Sequence, residues 1–162
     1  MARRAFFSFH YERDVWRAGQ VRNSWVTKDR EAAGFWDAAS WEEVKKKGEE
    51  EVKKWIRKQL EGTSVTVVLI GAETSSREYV KYELEQSWER GNGILGIYIH
   101  QMKDKDGKTD TKGKNEFGPI FKSDNDDKQY FFQRFSTYDW VDNDGYNDMG
   151  DWIESAAKKA GK

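Results

Sequence analysis

The sequence predicts an α/β fold: a five-stranded parallel sheet in the order 2-1-3-4-5, covered by helices on both faces as in the flavodoxin-like three-layer sandwich. Three observations lead to this fold class. Short apolar segments alternate with longer amphipathic ones, and most of the connections between them are short. Residues 64–70 form an almost unbroken run of β-branched and aliphatic side chains, which is typical of a strand buried on both faces of a parallel sheet.

The composition fits one globular domain without a strong net charge. The chain has 162 residues, and we expect a single domain over residues 1–162. Its 28 lysines and arginines nearly balance its 29 aspartates and glutamates, so we expect no nucleic-acid partner. Cysteine is absent, which excludes disulfides and cysteine-ligated zinc. The apolar run near the N-terminus is too short for a signal peptide or a membrane span, and we expect a cytoplasmic protein with no membrane partner.

The first third of the chain contains two predicted strands and two predicted helices. Residues 5–9 are apolar, aromatic and bounded by polar residues, and they predict the first strand. Asp14 is a candidate N-cap for a helix that reaches residue 26, and residues 34–37 predict a short second strand. Ser40, with a glutamate three residues later, has the pattern of a capping box, which predicts one helix over residues 40–60.

The middle of the chain continues the alternation. The strand at residues 64–70 ends at Gly71, and Ser75, with a glutamate three residues later, predicts a second capped helix. Two glycines, Gly91 and Gly93, close that helix, and residues 94–99 predict the fourth strand.

The last third begins with a polar segment. Residues 101–128 predict a loop inserted before the last strand, because they are rich in lysine, aspartate and glycine and contain the only proline. We place the fifth strand at residues 130–135. Asp148 or Asp151 is then the candidate cap of a C-terminal helix.

In a sheet of this order, ligands bind beyond the carboxyl ends of the strands, near the first and third strands. Glu83 falls in the second turn of the helix after the third strand, on the same face as Tyr79 and Val80. Glu85 is rotated by about 200° from Glu83, so only one of the two can face the cleft. A carboxylate beside apolar neighbours loses water, which raises its pKa and strengthens its attraction for a nearby cation. The spacing equally allows a solvated glutamate on an amphipathic helix.

The same edge of the sheet collects further candidates. Ser8 and His10 follow the first strand, and His10 either contacts a ligand or is a loop histidine bonded to the backbone. Asp37 either accepts hydrogen bonds from ribose hydroxyl groups or caps the next turn. Four aromatic residues either stack on a ligand ring or belong to the core: Phe9, Trp36, Trp41 and Tyr79.

Several short segments are similar to known phosphate-, calcium- or dinucleotide-binding motifs but lack a residue that the motif requires. Gly107-Lys108-Thr109 is similar to the end of a phosphate-binding loop, but the position of the glycine required five residues earlier holds Met102. The acidic segments 104–107 and 142–145 have their glycines two positions too early for a calcium-binding EF-hand loop. No Gly-x-Gly-x-x-Gly segment opens a helix. We therefore expect neither a metal site nor a resident dinucleotide cofactor.

Two segments resemble the motifs of TIR domains. Residues 6–11, Phe-Phe-Ser-Phe-His-Tyr, are similar to the first-strand motif, in which an apolar strand ends in serine and an aromatic residue. Residues 79–84, Tyr-Val-Lys-Tyr-Glu-Leu, are similar to the pattern Trp-Cys-x-x-Glu-Leu of the TIR catalytic helix, with Glu83 at the family's catalytic glutamate. Tyr79 and Val80 replace the usual tryptophan and cysteine.

A more specific resemblance is to the TIR-like ThsB family of bacterial Thoeris antiphage defence systems. It rests on segments such as 21–28, 63–71, 80–83 and 103–105, and it covers roughly residues 5–121. The resemblance implies a TIR-like fold and cleavage of NAD+, as substrate and not as cofactor, to nicotinamide and an ADP-ribose product that is often cyclised. It also implies that the product activates a downstream Thoeris effector, and that the chain can form a homo-oligomer, as TIR enzymes often do.

A different class of function remains compatible with the residues, namely a non-catalytic flavodoxin-like binding or scaffold module. A phosphoacceptor domain of this fold requires an aspartate after the third strand, where this chain has Gly71-Ala72-Glu73. A scaffold without a phosphoacceptor is therefore the alternative to the NAD+-cleaving enzyme.

Overall fold

The central sheet is parallel and confirms the predicted fold class. A computed structural model describes residues 3–26, 30–34, 38–115, 119–122, 128–130 and 135–162. The strands of these residues are β1 (Arg4–Ser8), β2 (Glu31–Ala33), β3 (Val65–Ile70), β4 (Gly93–Tyr98), β5 (Pro119–Lys122), β6 (Lys128–Tyr130) and β7 (Thr137–Asp139). Five of these described strands form one sheet in the order β2-β1-β3-β4-β7, with every pair parallel. Counted within this sheet alone, the order is 2-1-3-4-5. The other two strands, β5 and β6, pair antiparallel in a separate hairpin.

Helices cover both faces of the sheet. They are α1 (Val15–Val26), α2 (Ala38–Lys45), α3 (Glu49–Leu60), α4 (Glu78–Glu89) and α5 (Gly145–Lys159). On β3, Val67 and Leu69 belong to the apolar cluster that includes side chains of α1 and α5. The alternate residues Val68 and Ile70 pack with side chains of α4. Because successive strand residues point to opposite faces, a strand covered on both sides must be apolar throughout.

The helix predicted over residues 40–60 is in fact two helices. Because α2 begins at Ala38, Ser40 lies inside its first turn and is not its N-cap. Before α3 begins, Gly48 adopts a φ of 103°, a conformation that glycine tolerates far better than other residues. This glycine interrupts the helical path, and the prediction was wrong because it treated Gly48 as a residue of a continuous helix.

The second strand lies earlier than predicted. It occupies Glu31–Ala33, whereas the prediction placed it at residues 34–37. Gly34 has a φ of 118°, and a Cβ at this position would lie only 2.7 Å from the carbonyl oxygen of Phe7. The chain therefore leaves the strand at Gly34, and residues 35–37 lie outside the described residues.

The turn before α4 differs from the predicted capping box. Ser75 lies in a single turn of 3₁₀ helix over Thr74–Ser76, and α4 begins only at Glu78, with no side-chain cap. Thr74 supplies the local hydrogen bond instead, because its Oγ1 accepts the N–H of Gly71 at 2.8 Å. This bond tightens the turn that leaves β3.

The fifth sheet strand is β7, and the prediction of residues 130–135 was wrong. Tyr130 ends β6 in the separate hairpin, and residues 131–134 lie outside the described residues. The segment 101–128, predicted as a loop, contains β5. The residues of β7 are half-buried, as expected for an edge strand, so they lack the apolar run on which the prediction depended.

The C-terminal helix begins earlier than either predicted cap. It starts at Gly145, and the residue before it, Asp144, has a left-handed φ of 53°. A Cβ at Gly145 would overlap the indole ring of Trp140, so this position requires glycine. Asp148 lies in the first turn of α5, and Asp151 lies within the helix.

Candidate active site

Glu83 is buried on the side of α4 that packs toward the sheet. The inward residues of this helix are Val80, Glu83, Leu84 and Ser87. Glu83 is 0% exposed, whereas Glu85 is exposed to solvent. The expectation that only one of the two glutamates faces inward is therefore confirmed, and the alternative of a solvated Glu83 is wrong.

The carboxylate of Glu83 has one hydrogen-bond donor from the first βα connection. The hydroxyl group of Tyr11 donates a hydrogen bond to Oε1 of Glu83. The Ser8 hydroxyl lies close to Glu83, but within the described part of the chain neither its Oγ nor Oε2 of Glu83 has a partner with hydrogen-bond geometry, and both atoms are buried. The site therefore contains buried polar atoms that a bound ligand could satisfy.

The environment of Glu83 favours its neutral form. Burial raises the pKa of Glu83 to about 8, although the nearby hydroxyl groups of Ser8 and Tyr11 lower it. At neutral pH the carboxyl group of the ligand-free protein is therefore mostly protonated. A cation bound beside it would favour the charged form and release this proton.

The ring of Tyr11, which bonds Glu83, belongs to an aromatic cluster that we define as Phe9, Tyr11, Trp41 and Tyr79. The ring centroids of Phe9 and Tyr11 lie 4.7 Å apart, as do those of Tyr11 and Trp41. Trp41 and Tyr79 meet edge to face at 5.4 Å. Phe9 and Trp41 are each 1% exposed, so both pack as core residues here. Tyr79 is half-buried.

A small cavity lies against the aromatic cluster, and we call it the aromatic cavity. It is lined by Phe9, His10, Tyr11, Glu12, Trp41, Arg77, Tyr79 and Val80. Its volume is about 10 Å³, which is room for about one water molecule. The site is thus closed, and a ligand larger than water can reach Glu83 only after these side chains move.

His10 is bonded to the backbone, one of the two alternatives that the sequence left open, and it also lies beside a cavity. Its Nδ1 accepts the backbone N–H of Arg13 at 3.2 Å, and its ring also lines the aromatic cavity. Burial lowers the pKa of His10, and the nearby charge of Arg77 lowers it further. The neutral imidazole therefore carries its proton on Nε2, since Nδ1 is the acceptor.

A buried ion-pair network, which we call the Arg17 network, holds the start of α1. Arg17 donates to the carbonyl oxygens of Met102 at 2.8 Å and Lys108 at 2.9 Å, and its guanidinium lies 3.4 Å from Asp14. Asp14 is completely buried, and burial raises its pKa to about 6. The network ties the segment that carries Tyr11 to the loop after β4.

The structure brings together most of the residues predicted from sequence, but not all of them. Ser8, Phe9, His10, Trp41 and Tyr79 all lie around Glu83 or the aromatic cavity. Trp36 and Asp37 lie outside the described residues. Tyr11 was missed as a candidate, although it follows His10 directly, because its contact with Glu83 spans 72 residues of sequence and leaves no local pattern.

A second, larger cavity lies away from Glu83. It has a volume of about 280 Å³ and is lined by residues of α4, β4 and α5, among them Trp88, Gly93 and Trp152. Since Gly93 is the first residue of β4, this cavity is at the amino end of that strand. Ligands of parallel α/β sheets bind at the opposite, carboxyl edge, where Glu83 and the aromatic cavity are found.

The described residues contain no group of three or more His, Cys, Asp or Glu side chains placed to hold a metal ion. Over the same residues, no helix combines the length and the apolar character needed to cross a membrane.

A parallel sheet in this order, with a buried glutamate on the helix that follows the third strand, is the arrangement of a TIR-like domain. Comparison with protein families agrees: the chain belongs to the family "Thoeris protein ThsB, TIR-like domain", whose model matches residues 6–104. The chain is also similar to a protein of Bacillus cereus (strain MSX-D12) named "Putative cyclic ADP-D-ribose synthase ThsB1". The two are 37% identical over 191 aligned positions, which cover 94% of this chain and 100% of the relative.

Proposed function

We propose that this chain cleaves NAD+ at the bond between nicotinamide and ribose and closes the remaining ADP-ribose into a cyclic product. The observation that carries this proposal is the fully buried Glu83, which accepts a hydrogen bond from Tyr11 of the aromatic cluster, in a member of the ThsB family. The printed name of the Bacillus cereus relative supports the reaction type.

Glu83 acts on the positive charge of the substrate and of the transition state. Cleavage builds oxocarbenium character at the anomeric carbon of ribose, and a carboxylate beside it stabilises that charge. The nicotinamide ring of NAD+ already carries a positive charge, so binding lowers the pKa of Glu83 and produces the carboxylate form. Nicotinamide leaves as a neutral molecule and needs little assistance from an acid.

The aromatic cluster governs access and excludes water. In the closed form, Tyr11 lies between the Glu83 carboxylate and the aromatic cavity, so substrate binding requires Tyr11 to move. After binding, apolar rings around the ribose favour attack on the anomeric carbon by an atom of the same molecule, because water is kept out. This environment suits cyclisation better than hydrolysis.

Two further parts of the proposal rest on family membership. The product is a diffusible signal that activates a downstream Thoeris effector in antiphage defence. The closed aromatic cavity corresponds to a resting state of the enzyme. Assembly of several chains into a homo-oligomer then controls the opening of this cavity. The competing function is a scaffold without catalysis, which the closed site also accommodates.

The experiment that tests the proposal is nicotinamide release from NAD+ by concentrated purified protein. We expect release by the wild type, loss of release in Glu83→Gln, and unchanged release in Glu85→Gln, the matched control on the exposed side of α4. Equal turnover by Glu83→Gln and the wild type would remove Glu83 from the reaction. A wild type that is inert toward NAD+, both alone and when assembled, would favour the scaffold.

A further inference from the structure

Arg77 lies at the mouth of the aromatic cavity, directly before α4. Its side chain is half-buried and is part of the wall of this cavity, together with His10 and Tyr79. Tyr11, which lines the same cavity, donates a hydrogen bond to Glu83. A ligand that enters the cavity and displaces Tyr11 therefore meets Arg77 at the wall and Glu83 beyond it.

The guanidinium of Arg77 lies near the carboxylate of Glu12 without forming an ion pair with it. In the part of the chain that the structure describes, its guanidinium makes neither a hydrogen bond nor an ion pair. Neighbouring cations are engaged, since Arg13 bridges Glu73 and Asp110, and Lys45 lies 3.0 Å from Glu12. A half-buried guanidinium that makes no direct hydrogen bond or ion pair is available to bind an anion.

The charge of Arg77 acts on two residues of the cavity wall. Burial lowers the pKa of His10, and Arg77 lowers it further. The hydrogen bond from Lys45 lowers the pKa of Glu12, and Arg77 adds to that effect. Since the Nδ1 atom of His10 already accepts the N–H of Arg13, its Nε2–H is a donor. The wall therefore presents a guanidinium and a neutral N–H donor.

Glu12 is the carboxylate on this wall, and it is already engaged. Its Oε1 accepts hydrogen bonds from Lys45 at 3.0 Å and from Nε1 of Trp41 at 3.3 Å. These donors offset its charge, so Glu12 does not cancel the attraction of Arg77 for an anion.

We propose that Arg77 is a substrate-recognition residue that binds a phosphate oxygen of the NAD+ pyrophosphate while Glu83 acts on the nicotinamide ribose. This inference rests on the proposed function, and it adds the part of the substrate that the cavity mouth recognises. An arginine binds phosphate oxygens through charge-assisted hydrogen bonds, and it discriminates dinucleotides from nucleosides that lack a phosphate.

The test compares NAD+ with nicotinamide riboside, which carries the same scissile bond and no phosphate. In Arg77→Gln we expect kcat/KM for NAD+ to fall about 10- to 100-fold, the loss of one charge-assisted hydrogen bond, chiefly through KM. Turnover of nicotinamide riboside stays at the wild-type level. Arg77→Lys recovers part of the loss, and Arg90→Gln, at the exposed far end of α4, changes neither substrate.

Binding measurements separate this inference from the reaction itself. Calorimetry with NAD+ on Glu83→Gln, with and without Arg77→Gln, should show a similar 10- to 100-fold weakening. If the wild type binds NAD+ through Arg77 but does not cleave it, the proposed function fails and the recognition role stands. If the wild type cleaves NAD+ and Arg77→Gln does so equally well, or loses NAD+ and riboside turnover alike, the recognition role is wrong. Absence of both binding and cleavage overturns both.

Discussion

At the scale of single residues, the site depends on the pairing of Tyr11 with Glu83. The sequence predicted Glu83 mainly through the resemblance of residues 79–84 to the TIR catalytic helix, because the spacing alone also allowed a solvated glutamate. It did not predict Tyr11, because the contact between Tyr11 and Glu83 depends on the tertiary fold and not on a spacing within the sequence. The aromatic candidates were predicted as a group, but their burial in the closed form could not be read from sequence.

Tyr11→Phe should shift the pH dependence of NAD+ cleavage upward. The Tyr11 hydroxyl lowers the pKa of Glu83 from the value that burial alone would give, so its removal raises this pKa above about 8. Because the proposed reaction requires the carboxylate, we expect the pH at which kcat/KM rises to be higher in this variant. Tyr82→Phe is the control, since its hydroxyl contacts Arg57 instead. If kcat/KM rises at the same pH in Tyr11→Phe and in the wild type, the role of Tyr11 in lowering the pKa of Glu83 is contradicted.

Glu83→Gln should stabilise the protein, and increasingly so as pH rises. Between about pH 4.5 and about pH 8, folded Glu83 holds a proton that the unfolded chain has released. The protonation of Glu83 therefore makes the free energy of unfolding of the wild type decrease as pH rises through this range. Glutamine does not titrate, so the variant does not show this decrease. Urea unfolding of both proteins from about pH 5 to about pH 8.5 checks the prediction. A difference in stability that is independent of pH would show that Glu83 titrates normally.

At the scale of secondary-structure elements, the sequence predicted the buried strands well and the edges poorly. The strand β3 was predicted because it is apolar throughout, which its burial on both faces requires. The edge strand β7 was missed because the aromatic segment before it has a stronger strand pattern than Thr137–Asp139. The break between α2 and α3 depends on the backbone conformation of one glycine, Gly48.

Gly71→Ala should destabilise the junction between β3 and α1. A Cβ at Gly71 would overlap the carboxyl group of Asp14, which is completely buried. We expect a loss of about 1–3 kcal/mol in the free energy of unfolding, as for other overpacked sites. Gly19→Ala is the matched control in α1, where an added Cβ meets no atom within 4 Å and should stabilise the helix by about 0.5–1 kcal/mol. Denaturant unfolding distinguishes the two, and equal effects would contradict the packing argument.

At the scale of the whole molecule, the fold places its catalytic candidate where the topology of the sheet predicts. The carboxyl ends of β1 and β3 bring the Ser8–Asp14 segment and the start of α4 together, although they are far apart in sequence. This location could be predicted from the strand order alone. The closure of the site could not, because it depends on how four aromatic rings pack.

Arg17→Met should destabilise the whole molecule strongly. Arg17 links α1 to the carbonyl oxygens of Met102 and Lys108, and its loss leaves Asp14 buried without its ion pair. Breaking a buried pair from one side costs about 3–5 kcal/mol. Arg3→Met removes a more exposed ion pair with Glu154 and should cost about 1 kcal/mol or less. If urea unfolding gives the same decrease in the free energy of unfolding for the two variants, the Arg17 network does not contribute more to stability than the exposed ion pair.

The most direct test of the central claim is the mass of the nucleotide formed from NAD+ by the wild type and by Glu83→Gln. We predict that the wild type forms a cyclic product that is lighter than linear ADP-ribose by one water molecule, and that Glu83→Gln forms none. A linear product alone would contradict cyclisation, and the same product from both proteins would contradict the role of Glu83.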